Sequence, residues 1–175
     1  CTYGFYEKKD IAAIVDKIKS KYPQLSIGIW GNSLGGAIAI QALAFDPRIE
    51  FGIIESTFAD LSQIVYDYGN NMLGYMNHTL SDYALERAGN IAQFPPDEVK
   101  PIESVKQIEQ PMFMAHGDAD QNISHQYGQQ LFDNLKSTDK EFVLVKGGGH
   151  FNLFGTGGQA YEQKIAWLRQ VVEWH

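Results

Sequence analysis

Apolar and polar positions along this chain fall into blocks of two kinds. Ile11, Ile14, Val15 and Ile18 recur at helical spacing, which predicts an amphipathic helix over 8–21, ended by Pro23. Leu25 to Trp30 is a short apolar run and reads as a buried strand. A glycine-rich turn follows, then an apolar helix from Leu34 to Phe45 that Asp46-Pro47 stops. Phe51–Ile54, Met112–Ala115 (after Pro111) and Phe142–Val145 read as further strands. A helix is expected from Ser124 to Leu135, and a last one carries Tyr161, Ile165, Leu168 and Val172 on one face. Apolar strands alternating with helices predict an α/β fold, a parallel sheet of about four strands flanked on both faces by helices.

Residues 57–100 break that rhythm. Tyr66, Tyr68, Tyr75, Tyr83 and Phe94 are scattered among polar residues, and Pro95-Pro96 closes the segment. It reads as a helical insertion within a single domain spanning 1–175, which 175 residues suffice to fill. Its aromatics either pack the insertion itself or line a pocket for substrate.

Composition narrows the function classes. A net charge of −7, with the 14 Lys and Arg forming no basic run, argues against a nucleic-acid partner. No apolar stretch approaches the roughly 18 residues of a membrane span, and no basic start leads into an apolar signal segment. Cys1, the one cysteine, makes no internal disulfide, and localisation is left open. Sequons at Asn77 and Asn122 say little.

In sheets of this kind reactive groups gather beyond the carboxyl ends of strands. After Trp30 comes Gly31-Asn32-Ser33-Leu34-Gly35-Gly36, a G-x-S-x-G turn between strand and helix. Such a turn forces Ser33 out of the sheet, and Gly31 and Gly35 let strand and helix approach. The N–H of Leu34, at the helix start, is the expected oxyanion donor. Asn32 beside the serine and Phe58 at the start of the insertion are expected to touch substrate. A phosphate loop is excluded because its lysine is missing, and no G-x-G-x-x-G occurs.

A serine hydroxyl needs a base, and the base needs a carboxylate. Met112–Ala115 runs into His116-Gly117-Asp118-Ala119-Asp120, and Phe142–Val145 into Gly147-Gly148-Gly149-His150. The order Ser, Asp, His is that of the G-x-S-x-G hydrolases. Asp118 and Asp120 also suit a helix cap near Ser124. Gly147–Gly149 is expected to be a flexible loop that lets His150 reach Ser33. His116 reads as a structural turn residue, and His78 and His125 as surface residues. The Asp118-x-Asp120-x-Asn122 spacing fails as a calcium loop, because Ile123 and Gln129 replace its Gly and Glu. No metal-binding spacing and no cofactor motif is present.

Taken together, Gly31–Gly36, His116-Gly117-Asp118-Ala119-Asp120 and Gly149-His150-Phe151-Asn152 resemble the α/β-hydrolase superfamily, closest to its serine aminopeptidase and acylaminoacyl-peptidase-like group. Thr2-Tyr3-Gly4-Phe5-Tyr6-Glu7-Lys8-Lys9-Asp10 is similar to the segment leading to the nucleophile strand there. The resemblance implies Asp120 as the acid, with Glu55 a minor alternative. It implies the C-terminal portion of that fold, with 57–100 as a lid. It also implies that an N-terminal half or a second chain completes the sheet and supplies the second oxyanion donor. The implied substrate is a small ester, amide or peptide; a binding module, a thioesterase and an acyltransferase are the alternatives.

Overall fold

The computed structural model of the chain describes residues 1–171. Four parallel strands form one sheet in the order β1 (Gly28–Asn32), β2 (Phe51–Glu55), β3 (Met112–Gly117), β4 (Lys140–Val145). The helices are α1 (Glu7–Lys21), α2 (Leu34–Phe45), α3 (Leu61–Leu73), α4 (His78–Ala92), the short α5 (Pro101–Ser104), α6 (His125–Asn134), the short α7 (Leu153–Thr156) and α8 (Gly158–Val171). The expected α/β architecture is therefore present, and within 57–100 residues 61–73 and 78–92 are helical.

Side chains alternate across the sheet, so each strand feeds two cores. Ile54, Met112 and Met114 point into a cluster with Val15 of α1, Ile40 and Leu43 of α2, and Leu131 of α6. Ile53, Phe113 and Ala115 point the other way, against Leu153 of α7 and Leu168 of α8. A third cluster joins α2 to the insertion through Ala37, Phe58, Leu61, Ile64 and Leu85.

Two details differ from the sequence expectation. The strand read over 25–30 runs from Gly28 to Asn32 and is not buried: Leu25 and Trp30 are exposed. The reason is its place at the sheet edge, where one side of the ladder is open. β4, at the other edge, is likewise half-buried, whereas β3 is buried throughout. Of the face expected on α8, Leu168 is buried. Val172 lies outside the described residues, as do the side chains of Tyr161 and Ile165. Among the described residues no helix is long and apolar enough to cross a membrane.

Candidate active site

Ser33 joins β1 to α2 with φ 55° and ψ −123°, a region that L residues avoid. Such strain costs about 1–3 kcal/mol and persists only where the surroundings over-determine it. Here they do. The Ser33 N–H donates to the Glu55 carbonyl (2.9 Å), and Thr57 Oγ1 donates to the Ser33 carbonyl (2.7 Å). A Cβ on Gly31 would stand 2.3 Å from the Gly35 carbonyl oxygen, so that glycine is required. The second required glycine is Gly36 rather than Gly35. A Cβ on Gly36 would meet Thr57 Cβ at 2.8 Å, whereas one on Gly35 meets nothing within 4 Å.

The structure brings Ser33, His150 and Asp120 together. Ser33 Oγ lies 2.9 Å from His150 Nε2, and His150 Nδ1 lies 2.8 Å from Asp120 Oδ2. The partners assign the tautomer: Nδ1–H donates to the carboxylate, leaving Nε2 to accept from the serine hydroxyl. Asp120 is held from both sides. Its Oδ1 accepts from the Asn122 and Ile123 N–H groups (2.8 and 2.9 Å), and its side chain is fully buried.

Asp118 has a different task. Its Oδ1 accepts from the Gly147 N–H (2.6 Å), while the Ala119 N–H donates to the Gly148 carbonyl (2.9 Å). The expectation of a flexible histidine loop is corrected by these bonds. Gly147, at φ 71°, turns the chain, and Asn152 Oδ1 accepts from the Gly149 N–H (2.6 Å), so His150 is presented on a pinned turn. Glu55 does not serve the histidine. Its carboxylate pairs with Lys164 Nζ (2.7 Å) and accepts from Trp30 Nε1 (3.0 Å).

His116 is not a turn residue but a fully buried member of β3. Its Nε2–H donates to the Ile123 carbonyl (2.9 Å) and lies 3.3 Å from Asp120 Oδ2, so it steadies the same loop. Burial pushes its pKa below the ordinary histidine value, although the Ile123 carbonyl and Asp120 oppose that shift. The folded state therefore binds fewer protons here than the unfolded chain as pH falls below about 6.5, and stability declines there. A smaller loss of urea midpoint between pH 7 and pH 5 in His116→Gln than in the parent is the expected result.

Leu34 opens α2, so its N–H has no intrahelical acceptor. Beside it a cleft of about 330 Å³ opens, lined by Ser33, Leu34 and Phe58 and by Leu61, Ile64, Val65 and Tyr68 of α3. Asn32 is exposed and does not line it. Of the aromatics noted in the insertion, only Tyr68 lines the cleft. Phe94 is buried in the core, Tyr66 stacks on His78, and Tyr75 and Tyr83 are exposed. Leu61, Ile64 and Val65 are absent from the sequence expectation, yet with Tyr68 they sit at i, i+3, i+4 and i+7, a legible helical stripe. Tyr127 of α6 donates to Asp67 and tethers the far side of α3. Among the described residues no cluster of His, Cys, Asp or Glu could hold a metal ion.

Residues 2–175 match the prolyl oligopeptidase family (Peptidase_S9). The chain belongs to that family. Its fold also matches an esterase of Pyrococcus furiosus with a TM-score of 0.74, at 19% identity over 98% of this chain and 64% of that one. A peptidase of Bacillus subtilis, YuxL, is 24% identical over 98% of this chain and 26% of its own length. An acyl-protein thioesterase 1 homologue of Dictyostelium discoideum is 52% identical over 44 residues, 24% of this chain and 20% of its own length. The recognition of the α/β-hydrolase superfamily therefore holds for this member of a serine-hydrolase family. The chain spans 20%, 54% and 26% of the lengths of three curated relatives it matches.

Proposed function

We propose that this family member is a serine hydrolase that cleaves an ester or small amide through an acyl-enzyme. The observation that carries the reading is the continuous hydrogen-bond path from Ser33 Oγ through His150 to Asp120. Ser33 attacks the carbonyl carbon while His150 Nε2 takes the hydroxyl proton. The Leu34 N–H binds the developing oxyanion. Collapse of the tetrahedral species expels the alcohol or amine, which receives the proton from His150. Water then repeats the sequence with the acyl-enzyme, releasing the acid and restoring Ser33. Asp120 fixes the imidazole tautomer and stabilises its cation throughout. Helix α3 roofs the site, the role we assign to the 57–100 insertion as a lid.

The open ladder of β1 and the exposed Trp30 suit pairing with further strands, from the rest of the fold or from a second chain. Those strands would bring a second oxyanion donor, worth about 3 kcal/mol of transition-state stabilisation. A fluorophosphonate probe tests the reading. The adduct is expected on the peptide containing Ser33; an adduct that persists in Ser33→Ala refutes the assignment.

The 44-residue likeness to a thioesterase homologue favours one second reading, thioester hydrolysis at the same serine. Matched oxygen and thiol esters of one acyl group separate the two, because a thioesterase turns over the thioester faster.

A further inference from the structure

Resting on the triad reading, we infer that Thr57 is a positioning residue for the oxyanion site: its hydroxyl holds and polarises the peptide group that carries the Leu34 N–H. Three observations carry this.

The first is connectivity. The Ser33 carbonyl and the Leu34 N–H belong to one peptide group, and that group is planar. Whatever fixes the direction of the carbonyl therefore fixes the direction of the N–H. Thr57 Oγ1 donates to this carbonyl at 2.7 Å, closer than the Gly36 and Ala37 N–H groups at 3.0 and 3.3 Å. Those two belong to the first turn of α2 itself, whereas the hydroxyl ties the peptide to the segment that follows β2.

The second is electronic. A hydrogen bond donated to a carbonyl oxygen draws density from the nitrogen through the C–N bond. The N–H of the same peptide becomes a stronger donor. Thr57 is buried and does not line the cleft beside Ser33, so it acts through the peptide and not on substrate.

The third is rigidity. Residues 55–57 grip Ser33 at both ends: the Glu55 carbonyl accepts from the Ser33 N–H at 2.9 Å, and Thr57 takes the Ser33 carbonyl. Between them Ser56 is held at φ 45°, a left-handed conformation that L residues rarely adopt. Its N–H donates to the Ala115 carbonyl of β3 (3.0 Å), which anchors the grip to the sheet. A Cβ on Gly36 would stand 3.1 Å from Thr57 Oγ1, so the missing side chain there keeps the hydroxyl on its acceptor.

The test separates hydroxyl from shape on the full chain. Thr57→Val keeps the branched shape and loses the donor; Thr57→Ser keeps the donor and loses a methyl. The Ser33 carbonyl retains the Gly36 and Ala37 N–H groups in both, so no buried acceptor is orphaned. With p-nitrophenyl butyrate, Thr57→Val is expected to lower kcat about tenfold with KM within about twofold, a fraction of the roughly 10²–10³-fold that loss of a whole oxyanion donor costs. The rate of Ser33 labelling by a fluorophosphonate, whose phosphoryl oxygen takes the place of the oxyanion, should fall about tenfold as well. Thr57→Ser should stay within about threefold of the parent in both measurements. A Thr57→Val within about twofold of the parent in labelling rate, or a Thr57→Ser slower than Thr57→Val, overturns the inference, because packing and not the hydroxyl would then carry the role. In either case a parent labelled at Ser33 leaves the triad reading standing. A parent that is not labelled at Ser33 removes both.

Discussion

Replacing Ser33 with alanine is expected to lower kcat about 10⁶-fold, and His150→Ala to cost about as much. The double variant should be no slower than either single one, because the two groups act as a unit: a base without its nucleophile has nothing to deprotonate. Asp120→Asn should cost about 10⁴-fold. The amide still fills the site, but it donates where the carboxylate accepted, so His150 turns to the tautomer that cannot receive the serine proton. KM should change little, since the cleft beside Ser33 is untouched. Asp118→Asn is the informative control. Its side-chain oxygen can still accept from the Gly147 N–H, so its cost should stay within about tenfold. Single-turnover kinetics on the five variants gives the comparison. An Asp118→Asn as slow as Asp120→Asn would mean that the wrong aspartate carries the role.

That contrast also shows where the sequence stops being sufficient. Strand order and the positions of serine, acid and base after β1, β3 and β4 follow from apolar runs and the residues behind them. The choice between Asp118 and Asp120 does not follow from residue type, because both lie in one turn beyond one strand. Direction decides it: Asp118 turns to the backbone of the histidine loop, Asp120 to the imidazole. Spacing likewise cannot tell Gly35 from Gly36, since the deciding neighbour, Thr57, comes from β2's far end. The expected β1 starts three residues early and ends two early because Leu25 and Trp30 are apolar. Apolar residues mark burial only where a strand has neighbours on both sides, and β1 has one on its open sheet.

The feature least visible in sequence has the largest expected effect on stability. Lys164→Met, and separately Glu55→Gln, are each expected to cost about 3–5 kcal/mol. The partners lie 109 residues apart, yet Lys164 Nζ and Glu55 Oε1 meet at 2.7 Å with both side chains buried. The ammonium also sits over the Phe113 ring at 4.6 Å and the Trp30 ring at 5.4 Å, and Trp30 Nε1 donates to the second Glu55 oxygen. Burial holds Lys164 below the usual lysine range while Glu55 pulls the other way. Removing either residue thus leaves a buried polar group short of a partner, whereas removing both relieves the penalty. The double variant should therefore lose less than the sum of the single ones, a coupling of about 1–3 kcal/mol. Urea unfolding followed by tryptophan fluorescence, with Trp30 hydrogen-bonded to Glu55, reads all four proteins. A single variant within about 0.5 kcal/mol of the parent would show that this pair is hydrated in solution. The loss should reach catalysis too. The Glu55 carbonyl accepts from the Ser33 N–H, so the contact that anchors α8 to the end of β2 lies one residue's backbone away from the strained turn that presents the nucleophile.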